Sequence, residues 1–514
     1  MGDLVQILIL FIAAVLLAAA ARRVGAPYPI FLAVGGAVLA FLPATPSLSI
    51  PPELVLALFV APVLLDAAFD TSVRDLKDNW LPVVSLVVVA VSLTTAAVAV
   101  VTHWLIPDIP WGAAIALGAV VAPPDAVAAI AVLRQLNPPY RILKVLEGES
   151  LLNDASALLI FRLAVGAVTD NGFSPVSVVP TLLITVVGSA AAGFVLGWLM
   201  LRLTAQVKHI PTAIILQFVS TFGVWILADE IGLSGVLTMV CYAITLARTA
   251  PAVTPARSRI PSYAVWDTVV FAVNILAFIF IGLQMRPILE SLKEENRWPY
   301  LAVAGAVLFT VIAVRVAWHM TFNASLRLWY HRFGFHPPRP MLRPSVGSGL
   351  VISWSGMRGI VTLAASLALP ENFPYRDLIV LTAFSVVLGT LVIQGLTLKP
   401  LLKALDLHDD DPVGREVNAA RERALEAGLA SLKDHQSPIA EVVRKEIKTH
   451  LANESRDGAG EDAQTALSIH TELYQKALHA ARKAVLAMRV NKEIGDDAFH
   501  QIEEELDWLD MAEG

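Results

Sequence analysis

Thirteen apolar runs, each roughly as long as a bilayer is thick, follow one another through the first 405 residues of this 514-residue chain. A helix needs about 17–25 mostly apolar residues to cross the hydrocarbon core. The runs fall near 4–21, 28–42, 53–70, 80–106, 111–133, 146–168, 175–201, 210–228, 234–250, 265–285, 299–326, 346–369 and 377–402. Backbone with no water around it must satisfy its own hydrogen bonds, which restricts such runs to helices. Composition agrees: 56% of residues are hydrophobic and 16% charged, against about 25% charged in soluble domains. The expected fold class is an all-α polytopic membrane protein of about thirteen transmembrane helices. The first run lacks a basic start and ends in Arg22-Arg23 rather than a cleavage site, so it reads as a span and not a signal peptide.

Charge placement orders these spans. Alternate connections carry 18 lysines and arginines, among them Arg22, Arg74, Arg141, Lys208, Arg257, Arg332 and Lys403. The intervening set carries four: Arg286, Lys293, Arg297 and Arg376. Basic residues mark the cytoplasmic side, so thirteen spans in an inner cell membrane put the N-terminus outside and the C-terminus in the cytoplasm. Residues 406–514 hold 24 acidic and 13 basic side chains and are expected to be a separate, soluble, acidic tail. Helices are predicted over 415–432, 438–452 and 465–490, with a docking or regulatory role and an unknown partner. Cys241 has no second cysteine to bridge, and no basic patch fits a nucleic-acid footprint.

Ionisable groups inside a span are costly and mark function. The sixth run opens with Glu147-Gly148-Glu149-Ser150-Leu151-Leu152-Asn153-Asp154-Ala155. Residues four apart share a helix face, which puts Glu149 with Asn153 and Ser150 with Asp154. A carboxylate and a hydroxyl are the hard oxygen ligands that sodium favours. The fifth run contains Ala122-Pro123-Pro124-Asp125. Two prolines remove helix donors and clash with the preceding turn, so the helix is expected to unwind there. Freed carbonyls, that of Pro124 included, then lie beside Asp125, which can also cap the downstream half-helix. The twelfth run holds Ser353-Trp354-Ser355-Gly356-Met357-Arg358-Gly359, a second expected break around a buried arginine. Arg358 requires an acceptor, for which Glu149 is the first choice. That pairing leaves Asp154 and Asp125 as the free charges.

These motifs resemble a known family. Gly148-Glu149-Ser150-Leu151-Leu152-Asn153-Asp154 is similar to the Gly-Glu-Ser-Leu-Leu-Asn-Asp motif of the cation:proton antiporter 1 family, which includes sodium/proton exchangers. Trp354-Ser355-Gly356-Met357-Arg358-Gly359 resembles its Trp-Gly-Gly-Leu-Arg-Gly motif, and Asp125 lies 28 residues before Asn153, as in the family's Thr-Asp-Pro site. The resemblance covers residues 1–405. It implies an inverted-repeat antiporter fold with two crossing discontinuous helices and a homodimer. It implies that Asp154 binds the ion or the proton with help from Ser150. Asp125 contributes through water or as a support, Asn153 holds the crossing together, and Glu149 pairs with Arg358. Thr-Asp-Pro reads Pro124-Asp125-Ala126 here, which leaves a carbonyl but no hydroxyl and bears on ion selectivity.

The expected activity is electroneutral, one-for-one exchange of a monovalent cation, sodium or lithium, for a proton. No cofactor is expected beyond the transported ions, and the process served is pH and sodium homeostasis. Potassium/proton exchange is the alternative. A cation channel or an intramembrane enzyme is more remote: aspartate-rich membrane prenyltransferases also begin Asn-Asp, but need further acids that Ala155-Ser156-Ala157-Leu158 lacks. Among weaker signals, Arg162 is expected to snorkel to the membrane interface, and Arg315 and His319, four apart on one face, to serve core packing or an interface rather than a proton relay. His103 is a weak pH-sensor candidate, and Gly193 and Gly197 suit a close helix contact.

Overall fold

The computed structural model describes residues 2–24, 26–42, 51–71, 73–133, 138–169, 175–207, 209–253, 256–333 and 344–407, with isolated positions beyond. Residues Met1–Asp409 form one compact unit. The predicted tail helices fall outside the described residues apart from those isolated positions.

Among the described residues the membrane unit contains helices and no strand. Helices α1 (Gly2–Val24) and α2 (Tyr28–Leu39) lead into a composite helix. It is made of α3 (Pro52–Val55), a π turn over Leu56–Val60 and α4 (Ala61–Asp70). Short α5 (Val73–Asp78) precedes a second composite of α6 (Trp80–Val84), a π turn over Ser85–Ala90 and α7 (Val91–Leu105). Then come α8 (Trp111–Val121), α9 (Ala126–Leu133), α10 (Tyr140–Thr169), α11 (Pro175–Gln206), α12 (Ile210–Glu230) and α13 (Gly235–Val253). The unit ends with α14 (Ala256–Leu283), α15 (Met285–Ser291), α16 (Glu294–Phe333), α17 (Val346–Trp354), α18 (Ile360–Leu367) and α19 (Arg376–Leu405). Each of the thirteen predicted runs falls on helix. Among the described residues seven helical stretches are long and apolar enough to cross a membrane, and shorter apolar helices accompany them.

The shorter helices explain themselves at two places. Helix α8 has 11 residues and α9 has 8, about 17 and 12 Å at 1.5 Å per residue, so neither alone spans a core of roughly 30 Å. The same holds for α17 and α18, with 9 and 8 residues. The first interruption is Ala122–Asp125, where the two prolines stand, and the second is Ser355–Gly359, between its two glycines. Both breaks occur where the sequence predicts them.

End chemistry trims the rest. Ser345 caps α17 by accepting the Ser348 amide at 3.0 Å, and Ser348 Oγ accepts the Ser345 amide at 3.1 Å. The 40-residue α16 opens on Glu294 and Glu295 and closes on His331 and Arg332, acids at the positive end of the helix dipole and bases at the negative end. The Gly193/Gly197 pair lies against α13. A Cβ at Gly193 would collide with the Thr238 carbonyl, and one at Gly197 would sit 2.9 Å from Thr245 Cβ. The small residues therefore seat α11 on α13 within this chain. Gly193→Leu should overpack that seam by about 1–3 kcal/mol and lower the thermal unfolding midpoint of the detergent-purified protein. An unchanged midpoint would show that the seam is looser than this.

Candidate functional site

The site is built where the two breaks meet. The Asp125 amide donates to the Met357 carbonyl at 2.6 Å, joining the first interruption to the second through backbone alone. Asp125 Oδ1 accepts the Val127 amide at 2.8 Å and so caps the start of α9. Its other oxygen lies over Gly359, where any Cβ would collide with the carboxylate. A glycine is required there by close approach. The Asn153 side-chain amide donates to the Pro124 carbonyl at 2.7 Å and ties α10 to the first break.

Helix α10 presents two faces, as four-residue spacing predicts. Glu149 and Asn153 are 1% and 0% exposed, whereas Ser150 and Asp154 are half-buried. The two faces differ chemically. Glu149 is held by a fork of two hydrogen bonds from Arg315, Nη1 to Oε1 at 2.6 Å and Nη2 to Oε2 at 2.8 Å. Asp154 and Ser150 make no side-chain hydrogen bond or ion pair with any described residue. Asp154 and Asp125 are near enough to act on each other electrostatically.

The expected Glu149–Arg358 pair is not what forms. Arg358, fully buried, donates through Nε to the Val121 carbonyl at 3.0 Å and through Nη2 to the Ala122 carbonyl at 3.2 Å. It also donates to the Gly356 carbonyl. Its own amide donates to Thr390 Oγ1 at 3.0 Å. The physical reason is local. Unwinding at Pro123-Pro124 strips the last carbonyls of α8 of their helical donors, and these sit at the negative end of a helix dipole. A guanidinium fixed in the neighbouring break satisfies them directly and needs no carboxylate. Glu149 is left to Arg315, a residue whose sequence context points to core packing or an interface and not to this pairing. The rule that a buried cation needs an anion applied equally to both arginines, and that was the signal available. Thr390 had no sequence signal.

Arg162 does not merely snorkel: its Nη2 pairs with Asp229 Oδ1 of α12 at 2.6 Å. His103 stacks on Trp111, ring centroids 4.2 Å apart, and its Nδ1 is 3.1 Å from the Ile109 carbonyl oxygen, which serves the α7–α8 corner. Among the described residues, no three His, Cys, Asp or Glu side chains converge as a metal site.

Two interrupted helices that cross beside an unpaired carboxylate, inside an all-helical membrane unit, define an ion-coupled secondary transporter rather than an enzyme. A model of the family "Sodium/hydrogen exchanger, transmembrane" matches residues 7–404, and the chain belongs to that family. It is similar to an uncharacterized Na+/H+ exchanger of Mycobacterium tuberculosis, 30% identical over 96% of this chain and 93% of that one. It is 30% identical to the low-affinity Na+/H+ antiporter NhaS1 of Synechocystis, over 79% of this chain and 75% of that protein. It is also 30% identical to the sodium, potassium, lithium and rubidium/H+ antiporter of Bacillus subtilis, over 73% of this chain and 58% of the relative. Its fold matches the sodium proton antiporter MjNhaP1 of Methanocaldococcus jannaschii with a TM-score of 0.59 at 18% identity. That match covers 79% of this chain and 99% of the other.

Removing one partner of a buried ion pair costs about 3–5 kcal/mol. A double-mutant cycle over Glu149→Gln and Arg315→Gln, read by thermal unfolding, should therefore return a larger coupling energy than one over Glu149→Gln and Arg358→Gln. Equal couplings would contradict the pairing described here.

Proposed function

We propose that the protein exchanges sodium, and lithium with it, for a proton at Asp154, one for one. The observation that carries this is the state of the three acids. Glu149 is neutralised by Arg315, and Asp125 spends an oxygen on the α9 amide. Asp154 has no partner among the described residues and is half-buried. Ser150, four residues earlier on the same face, supplies a neutral oxygen, and the second lone pair of the Pro124 carbonyl supplies another. Asn153 holds that carbonyl in place, and Arg358 holds the end of α8. Proton and cation compete for one carboxylate. An empty, charged site is expensive to carry through a low-dielectric barrier, so the site moves only protonated or loaded, and that couples the two flows.

By formal charge Glu149 offsets Arg315 and Asp125 offsets Arg358, which leaves Asp154 as the one uncompensated charge and makes exchange electroneutral. Alternate basic connections support an inner-membrane protein with the N-terminus outside and residues 406–514 in the cytoplasm. Family resemblance supports a homodimer, and pH and sodium homeostasis are the processes served. Potassium remains a second reading, because one relative is named for potassium as well as sodium and Pro124 stands where the family motif has threonine.

Asp154→Asn should reduce sodium-driven proton movement in everted vesicles to background while the unfolding midpoint is kept; retained exchange would overturn the assignment. Separate titrations with sodium, lithium and potassium decide the cation. In proteoliposomes the wild-type rate should not respond to imposed voltage, and a strong response would refute one-for-one stoichiometry. Competition further requires the apparent KM for sodium to rise as pH falls. A KM independent of pH would place the proton elsewhere.

A further inference from the structure

We propose that the basic-side ends of α10 and α16 form a binding site for a phosphate-bearing anion. The buried face of α16 carries Arg315, His319, Asn323 and Arg327 at four-residue intervals. The first three are 3%, 4% and 3% exposed. Arg315 is committed to Glu149, and Asn323 Nδ2 donates to the Ser345 carbonyl at 2.7 Å. The next groups along the row are not committed: His319 Nδ1 and Arg327 Nε are buried and have no hydrogen-bond partner. Arg141, in the first turn of α10, is 6% exposed, and its Nε is buried without a partner as well. It lies within electrostatic reach of His319 and of Tyr330 on α16.

Among the described residues no carboxylate pairs with Arg141, His319 or Arg327, and the nearby carboxylates are engaged elsewhere. Glu149 is held by Arg315, Glu147 accepts Lys144 Nζ at 2.7 Å, and Asp75 accepts the Tyr140 hydroxyl. The adjoining connections cannot supply a carboxylate by sequence: 134–137 reads Arg-Gln-Leu-Asn, and 334–343 contains Arg339 and Arg343 with no acid. A buried guanidinium nitrogen without an acceptor, as at Nε of Arg141 and of Arg327, is disfavoured. Their planar forks suit phosphate oxygens, and the α10 N-terminus adds free amides and a positive dipole end. In the topology proposed above, on which this inference rests, these ends face the leaflet and compartment where anionic head groups and soluble phosphates are presented. Because α10 also carries Ser150 and Asp154, occupancy of its first turn would act on the transport site through one rigid helix.

Two readouts test this. In detergent, the unfolding midpoint of the wild type should rise saturably with short-chain phosphatidylglycerol or with inorganic phosphate, and not with short-chain phosphatidylcholine. The rise should be lost in Arg141→Gln/Arg327→Gln and partly kept in Arg141→Lys. The single Arg327→Gln variant, at a less enclosed position, serves if the double variant does not fold. A response to phosphatidylglycerol alone identifies a lipid head group, and a response to inorganic phosphate as well identifies a soluble phosphate source. No saturable rise with either, or an equal rise in the glutamine variants, overturns the proposal. In proteoliposomes, exchange should be faster with phosphatidylglycerol than in phosphatidylcholine alone, and the glutamine variants should lose that difference. Exchange that proceeds equally in both lipids and is not accelerated by inorganic phosphate either overturns this inference alone, whereas no exchange under any of these conditions counts against the transport reading.

Discussion

One backbone hydrogen bond, from the Asp125 amide to the Met357 carbonyl, is the constraint on which the rest of the membrane unit depends. Unwound backbone at this depth survives only where protein or a water-filled cavity satisfies it. The two breaks satisfy each other and recruit helpers. Asn153 donates to Pro124, and Arg358 donates to the end of α8 and takes Thr390 as acceptor for its own amide. Each group serves a carbonyl or amide that a continuous helix would have bonded internally. What results is a polar knot between apolar helices, held by α10, α16 and α19.

This division of labour separates structure from transport. Glu149, Arg315, Asn153 and Arg358 are buried, and their hydrogen bonds, Glu149 with Arg315, Asn153 to Pro124 and Arg358 to the end of α8, are spent on holding the crossing. Ser150 and Asp154, on the adjacent face of the same helix, retain partial access and no described partner. In the proposed mechanism, fixing one acid with an arginine fork leaves the other free to exchange its occupant. A site whose net charge is decided by a single group needs only that group to be neutralised before it can move.

Much of this was legible in the sequence because it follows from local rules. Paired prolines at 123–124 and glycines at 356 and 359 announced both breaks, and four-residue spacing sorted Glu149 and Asn153 from Ser150 and Asp154. The capping role of Asp125 followed from its place after the prolines. The partner of Arg358 was not legible. The sequence shows that Arg358 needs an acceptor, but backbone carbonyls exposed by a distant break have no signature in residue identity. With one acid and two arginines in reach, the chain could not show which would pair. Gly193 and Gly197 were read correctly as a close contact, while their partner, α13, emerged only from the packing.

The central claim is that sodium and a proton exclude one another at Asp154. Calorimetric titration of the purified protein with sodium, repeated in buffers of different ionisation enthalpy, measures that directly. The account predicts that sodium binding releases a proton from the wild type and that Asp154→Asn shows neither binding nor release. Sodium binding without proton release at any pH, or undiminished binding in the variant, would contradict it.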